Sequence, residues 1–315
     1  MNILLFAGGY HGYGSGNILR CYELCKYINE NVENSKAVIS GNHVGLINKL
    51  LHPFNSATEY IVEIESKYDV IIYDSPICDV VILKKLRQCG SRLIALDFFN
   101  YENQEVDEII NLCDQNRDAR NQFSGRVYEG VKYAIIKESI LNCAVRNSII
   151  TDEGVPRVLV TFGGEDPSAN TELVVAQLCQ KIAKVTVLLG ALNENSQSVI
   201  EKYSKYKQIE FIQFDPLIAE RLAQTDILIC GGGTTLLEGI FIGMPIIAVG
   251  QNIYENRFID SIKAEIKLYL LEELSFLLNN FGNVTFREKT GKTYRAFVDG
   301  GGKKRITDII FNRRS

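Results

Sequence analysis

A short apolar stretch that ends in three glycines is the strongest constraint on what this chain can fold into. Ile227–Cys230 has the length and composition of a buried strand, residues 231–233 are all glycine, and helical periodicity begins at Thr234. A strand that turns through glycines into a helix exposes backbone N–H groups at the amino end of the helix, where phosphate can bind. The alternative is a tight structural turn. In the phosphate-binding interpretation, the expected contacts are Gly232, Gly233, Thr234 and Thr235, with Glu238 one helical turn further on.

The rest of the chain alternates between strand-like and helix-like segments. Apolar runs of strand length occur at residues 2–6, 70–73, 93–96, 158–162, 185–189, 210–214, 227–230 and 246–249. Continuous apolar strands separated by helices are typical of parallel sheets that are covered on both faces. At 315 residues the chain is long enough for two such domains. The sequence therefore predicts an α/β protein with two doubly wound, Rossmann-like domains and an interdomain cleft.

Polar residues, glycine and proline interrupt this alternation at residues 151–156, where we place the domain boundary. The predicted N-terminal domain spans residues 1–150, and the predicted C-terminal domain spans residues 151–302. In open parallel sheets, ligands bind beyond the carboxyl ends of the strands. We therefore expect the glycine turns of both domains to face the cleft.

Composition limits the partners and the sites that we expect. A formal charge of −4 at pH 7 gives no general attraction for nucleic acid or anionic lipid, and no apolar run approaches the length of a membrane span. The eight cysteines are scattered and form no Cys-x-x-Cys pair, which is typical of reduced, mostly buried residues. We predict no metal site and no cofactor. Without a recognisable leader at the amino end, the protein is expected in the cytoplasm.

Two further glycine turns follow predicted strands. Residues 8–16 are rich in glycine and precede a helix that carries Asn17 and Arg20. Gly163 and Gly164 follow the strand at residues 158–162, and their place beside the 231–235 turn favours joint action on one nucleotide, although either turn could be purely structural. No dinucleotide fingerprint stands in register after the first strand, and no P-loop Gly-Lys-Ser or Gly-Lys-Thr occurs. An NAD enzyme and an NTPase are both disfavoured.

Four segments resemble motifs of the PseG-type UDP-sugar hydrolases. Residues 14–21 are similar to the family's G-x-G-H-x-x-R-C loop, and residues 130–138 to its G-x-x-Y-A-L-L-R-x-E segment. Residues 161–167 are similar to its F-G-G-S/T-D-P turn, and residues 295–302 to its closing D-G-x-G motif. The block at residues 231–245 is shared more widely, with MurG-like GT-B glycosyltransferases. The resemblance covers nearly the whole chain, and its segments come in the right order.

The resemblance implies a GT-B fold, with UDP held mainly by the C-terminal domain and a final helix within residues 303–315 that could pack on the N-terminal domain. It implies hydrolysis of UDP-2,4-diacetamido-2,4,6-trideoxy-β-L-altrose, in the route to pseudaminic acid or a related bacterial surface sugar. Glu238 matches the GT-B glutamate that binds both ribose hydroxyls. The further residues expected to bind nucleotide or substrate are Gly14, Gly16, Arg20, Gln251 and Asn252. Arg20 could instead pair with a carboxylate.

Asn17 departs from the family pattern, because it stands where the family has the histidine proposed as the general base. An amide cannot accept a proton at neutral pH. His11, in the same glycine-rich loop, or Asp74, at the end of the strand at residues 70–73, could be the base instead. Asp74 could also be only a helix cap. Alternatively, the protein is a glycosyltransferase whose base is specific for an acceptor, or a nucleotide-sugar-binding protein without catalysis.

Overall fold

The computed structural model describes residues 1–10, 16–43, 45, 47, 64, 67–113, 117–143, 154–213 and 218–313. The chain divides into two compact units. The first unit is Met1–Ile136 together with Gly300–Ser315, and the second is Lys137–Asp299. Residues 151–153 of the boundary region lie outside the described residues, so the division into residues 1–150 and 151–302 stays a prediction.

The described residues form eleven strands and twelve α-helices. The strands are β1 (Asn2–Ala7), β2 (Lys36–Gly41), β3 (Val70–Asp74), β4 (Leu93–Leu96), β5 (Glu108–Asn111), β6 (Arg126–Glu129), β7 (Arg157–Thr161), β8 (Lys184–Leu189), β9 (Ile209–Gln213), β10 (Ile227–Cys230) and β11 (Ile246–Ala248). The helices are α1 (Gly16–Asn31), α2 (Val80–Cys89), α3 (Arg117–Arg120), α4 (Glu138–Leu141), α5 (Asn170–Leu178), α6 (Ser196–Tyr203), α7 (Ile218–Ala223), α8 (Thr234–Ile242), α9 (Ile253–Lys263), α10 (Leu274–Asn280), α11 (Val284–Phe297) and α12 (Gly302–Ile310). Two 3-10 turns are Val131–Tyr133 and Leu271–Glu273.

The first unit contains a six-stranded parallel sheet with the order β2-β1-β3-β4-β5-β6. Its central strands are buried because they carry continuous apolar runs, as in β1 and β3. The sequence did not predict β2, β5 or β6. β2 and β5 have polar residues at their ends, so their apolar runs are too short to indicate a strand. β6 is a half-exposed edge strand without an apolar run.

The second unit contains a five-stranded parallel sheet with the order β11-β10-β7-β8-β9. Apolar side chains of these strands and of α5 form its core, among them Val160, Val174, Val187 and Ile229. The two parallel sheets with their helices confirm the predicted α/β, Rossmann-like class. None of the described helices has the length and hydropathy needed to cross a membrane.

Strand order reverses once in each sheet, and this fixes where a ligand can bind. In the first sheet the chain leaves β1 for β2 and returns to β3 on the other side, so β1 and β3 flank the reversal. In the second sheet β7 and β10 flank it. Such switch points leave a crevice at the carboxyl ends of the two strands. The turns that follow these four strands are therefore the places to look for functional residues.

The final helix, α12, packs within the first unit. Lys303 at its start lies 3.3 Å from the Glu23 carboxylate of α1, and this ion pair is largely buried. Near its end, the carbonyl oxygens of Ile309 and Ile310 accept hydrogen bonds from the Arg92 guanidinium at 3.0 and 2.9 Å. The helix is thereby held at both ends.

Two of the segments that carry the family resemblance contact each other in this unit. Gly302 lies so close to the carbonyl oxygen of Ala134 that a Cβ at position 302 would overlap with it. Arg305 donates a hydrogen bond to the carbonyl oxygen of Lys132 at 2.8 Å. Glycine at position 302 is therefore a packing requirement, since any side chain would push α12 away from the 3-10 turn at Val131–Tyr133.

Candidate functional site

The glycine turn after β10 leads directly into α8. Gly233 is the N-cap residue, with an extended backbone (φ −96°, ψ −157°), and α8 begins at Thr234. No side chain of the described residues caps this helix start. The first backbone N–H groups of an α-helix have no partner within the helix, and the helix dipole adds partial positive charge there. The amino end of α8, with Thr234 and Thr235, can therefore accept an anion.

Glu255 fixes the glycine turn from the neighbouring helix α9. Its Oε2 accepts hydrogen bonds from the backbone N–H of Gly232 at 2.9 Å and of Gln251 at 3.0 Å. A Cβ on Gly232 would lie 2.9 Å from the backbone oxygen of Glu255, so this close approach requires glycine. One N–H of the turn is thus taken by a protein carboxylate, which leaves the N–H groups further along, at the start of α8, for a ligand.

Gln251 and Asn252 support the same turn. The Gln251 side chain donates to the carbonyl oxygen of Phe162, at the end of β7, at 2.9 Å. The Asn252 side chain caps α9 by accepting a hydrogen bond from the Glu255 N–H at 2.9 Å. Sequence reasoning missed Glu255, although the Asn-x-x-Glu spacing at a helix start is a recognisable capping signal. The predicted ligand contacts of Gln251 and Asn252 stay predictions.

The turn after β7 differs from the turn after β10, because a carboxylate of the protein already binds N–H groups at the start of the helix that follows it. The Asp166 carboxylate accepts hydrogen bonds from the N–H groups of Asn170 at 2.9 Å and Thr171 at 2.8 Å, in the first turn of α5. Asp166 is buried, and burial raises its pKa. Gly163 has a positive φ of 77°, and Gly164 accepts a hydrogen bond from the Leu192 N–H at 2.9 Å. Two N–H groups at the start of α5 thus already have an acceptor within the protein, and nucleotide binding by Gly163 and Gly164 stays a prediction.

Glu238 lies on α8, one turn beyond Thr234, and forms a buried ion pair. Its Oε1 is 3.1 Å from Nζ of Lys137, with side-chain exposures of 1% for Glu238 and 15% for Lys137. Lys137 was not among the predicted site residues, although it lies in the segment at residues 130–138 that resembles the family motif. Ribose binding by Glu238 stays a prediction.

In the first unit, Arg20 of α1 lies between two carboxylates. It donates to Asp74 through Nη2 at 2.8 Å and Nε at 3.0 Å, and to Asp97 through Nη1. Asp74 ends β3 and is 1% exposed, whereas Asp97 follows β4 and is 25% exposed. When both carboxylates are ionised, this cluster carries one more negative than positive charge. Its charge therefore suits uncharged hydroxyl or amide groups better than a phosphate.

The environment of Asp74 shifts its titration towards neutrality. Burial raises the pKa of its carboxyl to about 6, because the ion pair with Arg20 offsets only part of the desolvation and Asp97 adds a like charge. Asp74 does not cap the following helix. Asp79 does, since its Oδ1 accepts from the N–H groups of Val81 at 3.0 Å and Ile82 at 3.1 Å.

Asn17, in the first turn of α1, ties the two strand ends of the switch point together. Its Nδ2 donates to the carbonyl oxygen of Gly8, which follows β1, and to that of Asp74 at 3.3 Å. The side chain is buried. Gly16 is the first residue of α1, whereas His11 and Gly14 lie outside the described residues. The structure thus brings Asn17, Arg20 and Asp74 together at the carboxyl edge of the first sheet.

Within the part of the chain that the structure describes, histidine, cysteine and carboxylate side chains form no cluster suited to a metal ion. The described cysteines are all free thiols.

Sequence comparisons find similarity to known proteins. Residues 158–257, which include the turns after β7 and β10, match the family model described as "Glycosyltransferase family 28 C-terminal domain". The spore coat polysaccharide biosynthesis protein SpsG of Bacillus subtilis is 25% identical over an alignment 339 positions long, which covers 98% of this chain and 98% of SpsG.

Solved structures share the fold over nearly the whole length. MurG of Acinetobacter baumannii superposes with a TM-score of 0.63 at 12% identity, covering 99% of each chain. Anabaena Alr3699/HepE in complex with UDP and glucose gives a TM-score of 0.62 at 14% identity, covering 99% of this chain and 100% of that one. The chain therefore has a GT-B, MurG-like fold, and residues 158–257 are similar to the glycosyltransferase family 28 C-terminal domain.

Proposed function

We propose that this protein is a UDP-sugar hydrolase, which releases UDP from a UDP-linked acetamido-deoxy sugar by attack of water at the anomeric carbon. The observation that carries the proposal is the amino end of α8. It follows a glycine turn at a switch point, lacks a capping side chain among the described residues, and lies in the segment that matches the glycosyltransferase family 28 model.

Two relatives support a nucleotide sugar as the ligand. Anabaena Alr3699/HepE was solved in complex with UDP and glucose, and SpsG is named for spore coat polysaccharide biosynthesis. A role in bacterial surface-sugar synthesis fits the name of SpsG. The motif resemblance at residues 130–138 and 295–302 favours the hydrolases over general GT-B transferases.

The proposed reaction needs few catalytic groups. The oxygen of water forms a bond to the anomeric carbon while the bond from that carbon to the diphosphate oxygen breaks. UDP leaves as a stable anion that needs no proton, and N–H groups at the amino end of α8 stabilise its developing charge. A base takes the proton that water loses.

The proposed base is His11 or Asp74. A pKa of about 6 suits Asp74 to this task, whereas its burial and its two hydrogen bonds to Arg20 favour a role in positioning that arginine. Asn17 orients groups by hydrogen bonds only. The roles of Asn17, His11 and Asp74 are separable by single substitutions.

A glycosyltransferase is the second candidate, favoured by the family 28 match and by the absence of a base at Asn17. In this alternative, a hydroxyl of an acceptor replaces water. The two candidates differ in whether UDP is released without an acceptor. A non-catalytic nucleotide-sugar-binding protein would release none.

The deciding experiment is to incubate the protein with a panel of UDP-linked N-acetylated deoxy sugars and to measure UDP release. The hydrolase proposal predicts repeated turnover without an acceptor. Release only after addition of a cell-extract acceptor would identify a transferase. A protein that binds UDP but releases none under either condition would be a binding protein.

Calorimetry with UDP tests the nucleotide site separately. Loss of the Glu238 carboxylate in Glu238→Ala should weaken UDP binding about ten- to hundredfold, because buried ribose hydroxyls lose a charged acceptor. Unchanged affinity would remove Glu238 from the proposed ribose site.

A further inference from the structure

We propose that Lys137 is a positioning residue for nucleotide recognition. Its ammonium group holds the Glu238 carboxylate ionised and oriented so that the carboxylate accepts the hydroxyl hydrogens of a ribose. This inference rests on the proposed function, because it presumes that a ribonucleotide binds beside α8.

The two charged groups lie close together and are largely shielded from water. Nζ of Lys137 is 3.1 Å from Oε1 of Glu238, and neither side chain is more than 15% exposed. Glu238 is fixed on α8, one turn beyond the amino end that we assign to the diphosphate. Lys137 immediately precedes α4, with an extended backbone (φ −59°, ψ 144°), and belongs to the same compact unit.

The proposed role of Lys137 depends on the negative charge of Glu238. A buried carboxylate is costly unless an opposite charge accompanies it, and removal of one partner from a buried ion pair leaves the other uncompensated. An ionised carboxylate only accepts hydrogen bonds, and those to charged acceptors are the stronger kind. Without Lys137, Glu238 would take up a proton or turn away, and recognition of the ribose hydroxyls would weaken.

The same unit offers a matched control at the opposite end of its sheet. Nε of Arg157 is 3.1 Å from Oδ2 of Asp226, and the carboxylate is again 1% exposed. Arg157 begins β7 and Asp226 precedes β10, so this pair lies at the amino ends of the strands, whereas the glycine turns follow the carboxyl ends. Arg157→Gln therefore perturbs a buried ion pair without touching the proposed nucleotide site.

The test compares the affinity for UDP with that for 2′-deoxy-UDP by calorimetry. Wild type should prefer UDP by about tenfold or more, because the deoxynucleotide lacks one hydroxyl donor to Glu238. Lys137→Gln should reduce this preference to less than about threefold, mainly by weakening UDP binding. Lys137→Arg should restore most of it, and Arg157→Gln should keep the wild-type ratio. A Lys137→Gln protein that retains the full preference would overturn the proposal.

A double variant keeps the proposal testable if Lys137→Gln alone does not fold, because Lys137→Gln with Glu238→Gln buries no lone charge. Its ratio of affinities should equal that of Glu238→Gln alone, since Lys137 acts only through Glu238. A further loss in the double variant would overturn this role. Equal binding of UDP and 2′-deoxy-UDP by wild type would overturn the inference while UDP binding stands, whereas absence of UDP binding would overturn the proposed function itself.

Discussion

The carboxyl edges of the two parallel sheets present different chemistry, although both lie at a switch point of strand order. In the first sheet, Arg20 is held between Asp74 and Asp97, so this edge has excess negative charge. In the second sheet, α8 begins at Thr234 after the N-cap residue Gly233, and no carboxylate caps it among the described residues. One topology can therefore serve two purposes. The second edge suits a diphosphate, and the first suits uncharged groups and proton transfer.

A second contrast lies within the second sheet itself. The turns after β7 and β10 both contain glycines and both lead into a helix, yet only α5 has its amino end occupied by a carboxylate, that of Asp166. A glycine turn before a helix is therefore not enough to indicate a phosphate site. The partners of the first backbone N–H groups decide whether an anion can bind.

The largest expected effect comes from Asp74→Asn. We expect UDP release to fall by about 10²–10⁴-fold if Asp74 is the base, with UDP affinity nearly unchanged because the proposed nucleotide contacts lie on the other sheet. In wild type, turnover should then rise with pH through about 6, where the Asp74 carboxyl loses its proton. Steady-state kinetics across pH provide the measurement.

His11→Ala is the matched comparison for that prediction. If His11 is the base, this variant loses turnover and Asp74→Asn loses less. A large drop in UDP affinity in Asp74→Asn would contradict the assignment of nucleotide binding to the second sheet.

A smaller effect is expected from Asn17→His. If nothing replaces the family histidine, the new imidazole should raise UDP release by up to about two orders of magnitude. If His11 or Asp74 already acts as the base, the change should be neutral or harmful, because Asn17 holds Gly8 and the end of β3. Unaltered turnover in all three variants of Asn17, His11 and Asp74 would move the catalytic site away from this edge.

Asp166→Asn should have the smallest effect, and on stability rather than binding. The variant keeps an acceptor for α5 but loses the charge, so we expect the free energy of unfolding to fall by about 0.5–2 kcal/mol. Urea denaturation measures this change. UDP affinity should stay within about twofold, and a much larger loss of affinity would mean that the turn after β7 contacts the nucleotide.

Sequence patterns predicted the fold where burial dictates composition. Strands buried on both faces, such as β1, β3, β7 and β10, appear as apolar runs, whereas β6 at a half-exposed edge does not. The predicted strands were enough to indicate two parallel sheets.

The site was only partly predictable for a different reason. Glycine spacing locates the turns, but Asp166 and Glu255 occupy their N–H groups through contacts that the fold creates. The pairing of Lys137 with Glu238 likewise joins distant parts of the chain. Pattern and spacing describe local structure, and these partners are set by tertiary packing.

UDP calorimetry on Gly233→Asp and Gly233→Asn tests whether the open amino end of α8 binds the diphosphate. Gly233 has an extended backbone, and no described atom lies within 4 Å of a Cβ placed there, so both side chains fit and both can cap the helix. The Asn variant should bind UDP more weakly than wild type, because its side-chain oxygen competes with the diphosphate for the same N–H groups. The Asp variant should lose at least about 100-fold, because its charge repels the diphosphate at close range. Equal UDP affinity in the two variants would contradict diphosphate binding there.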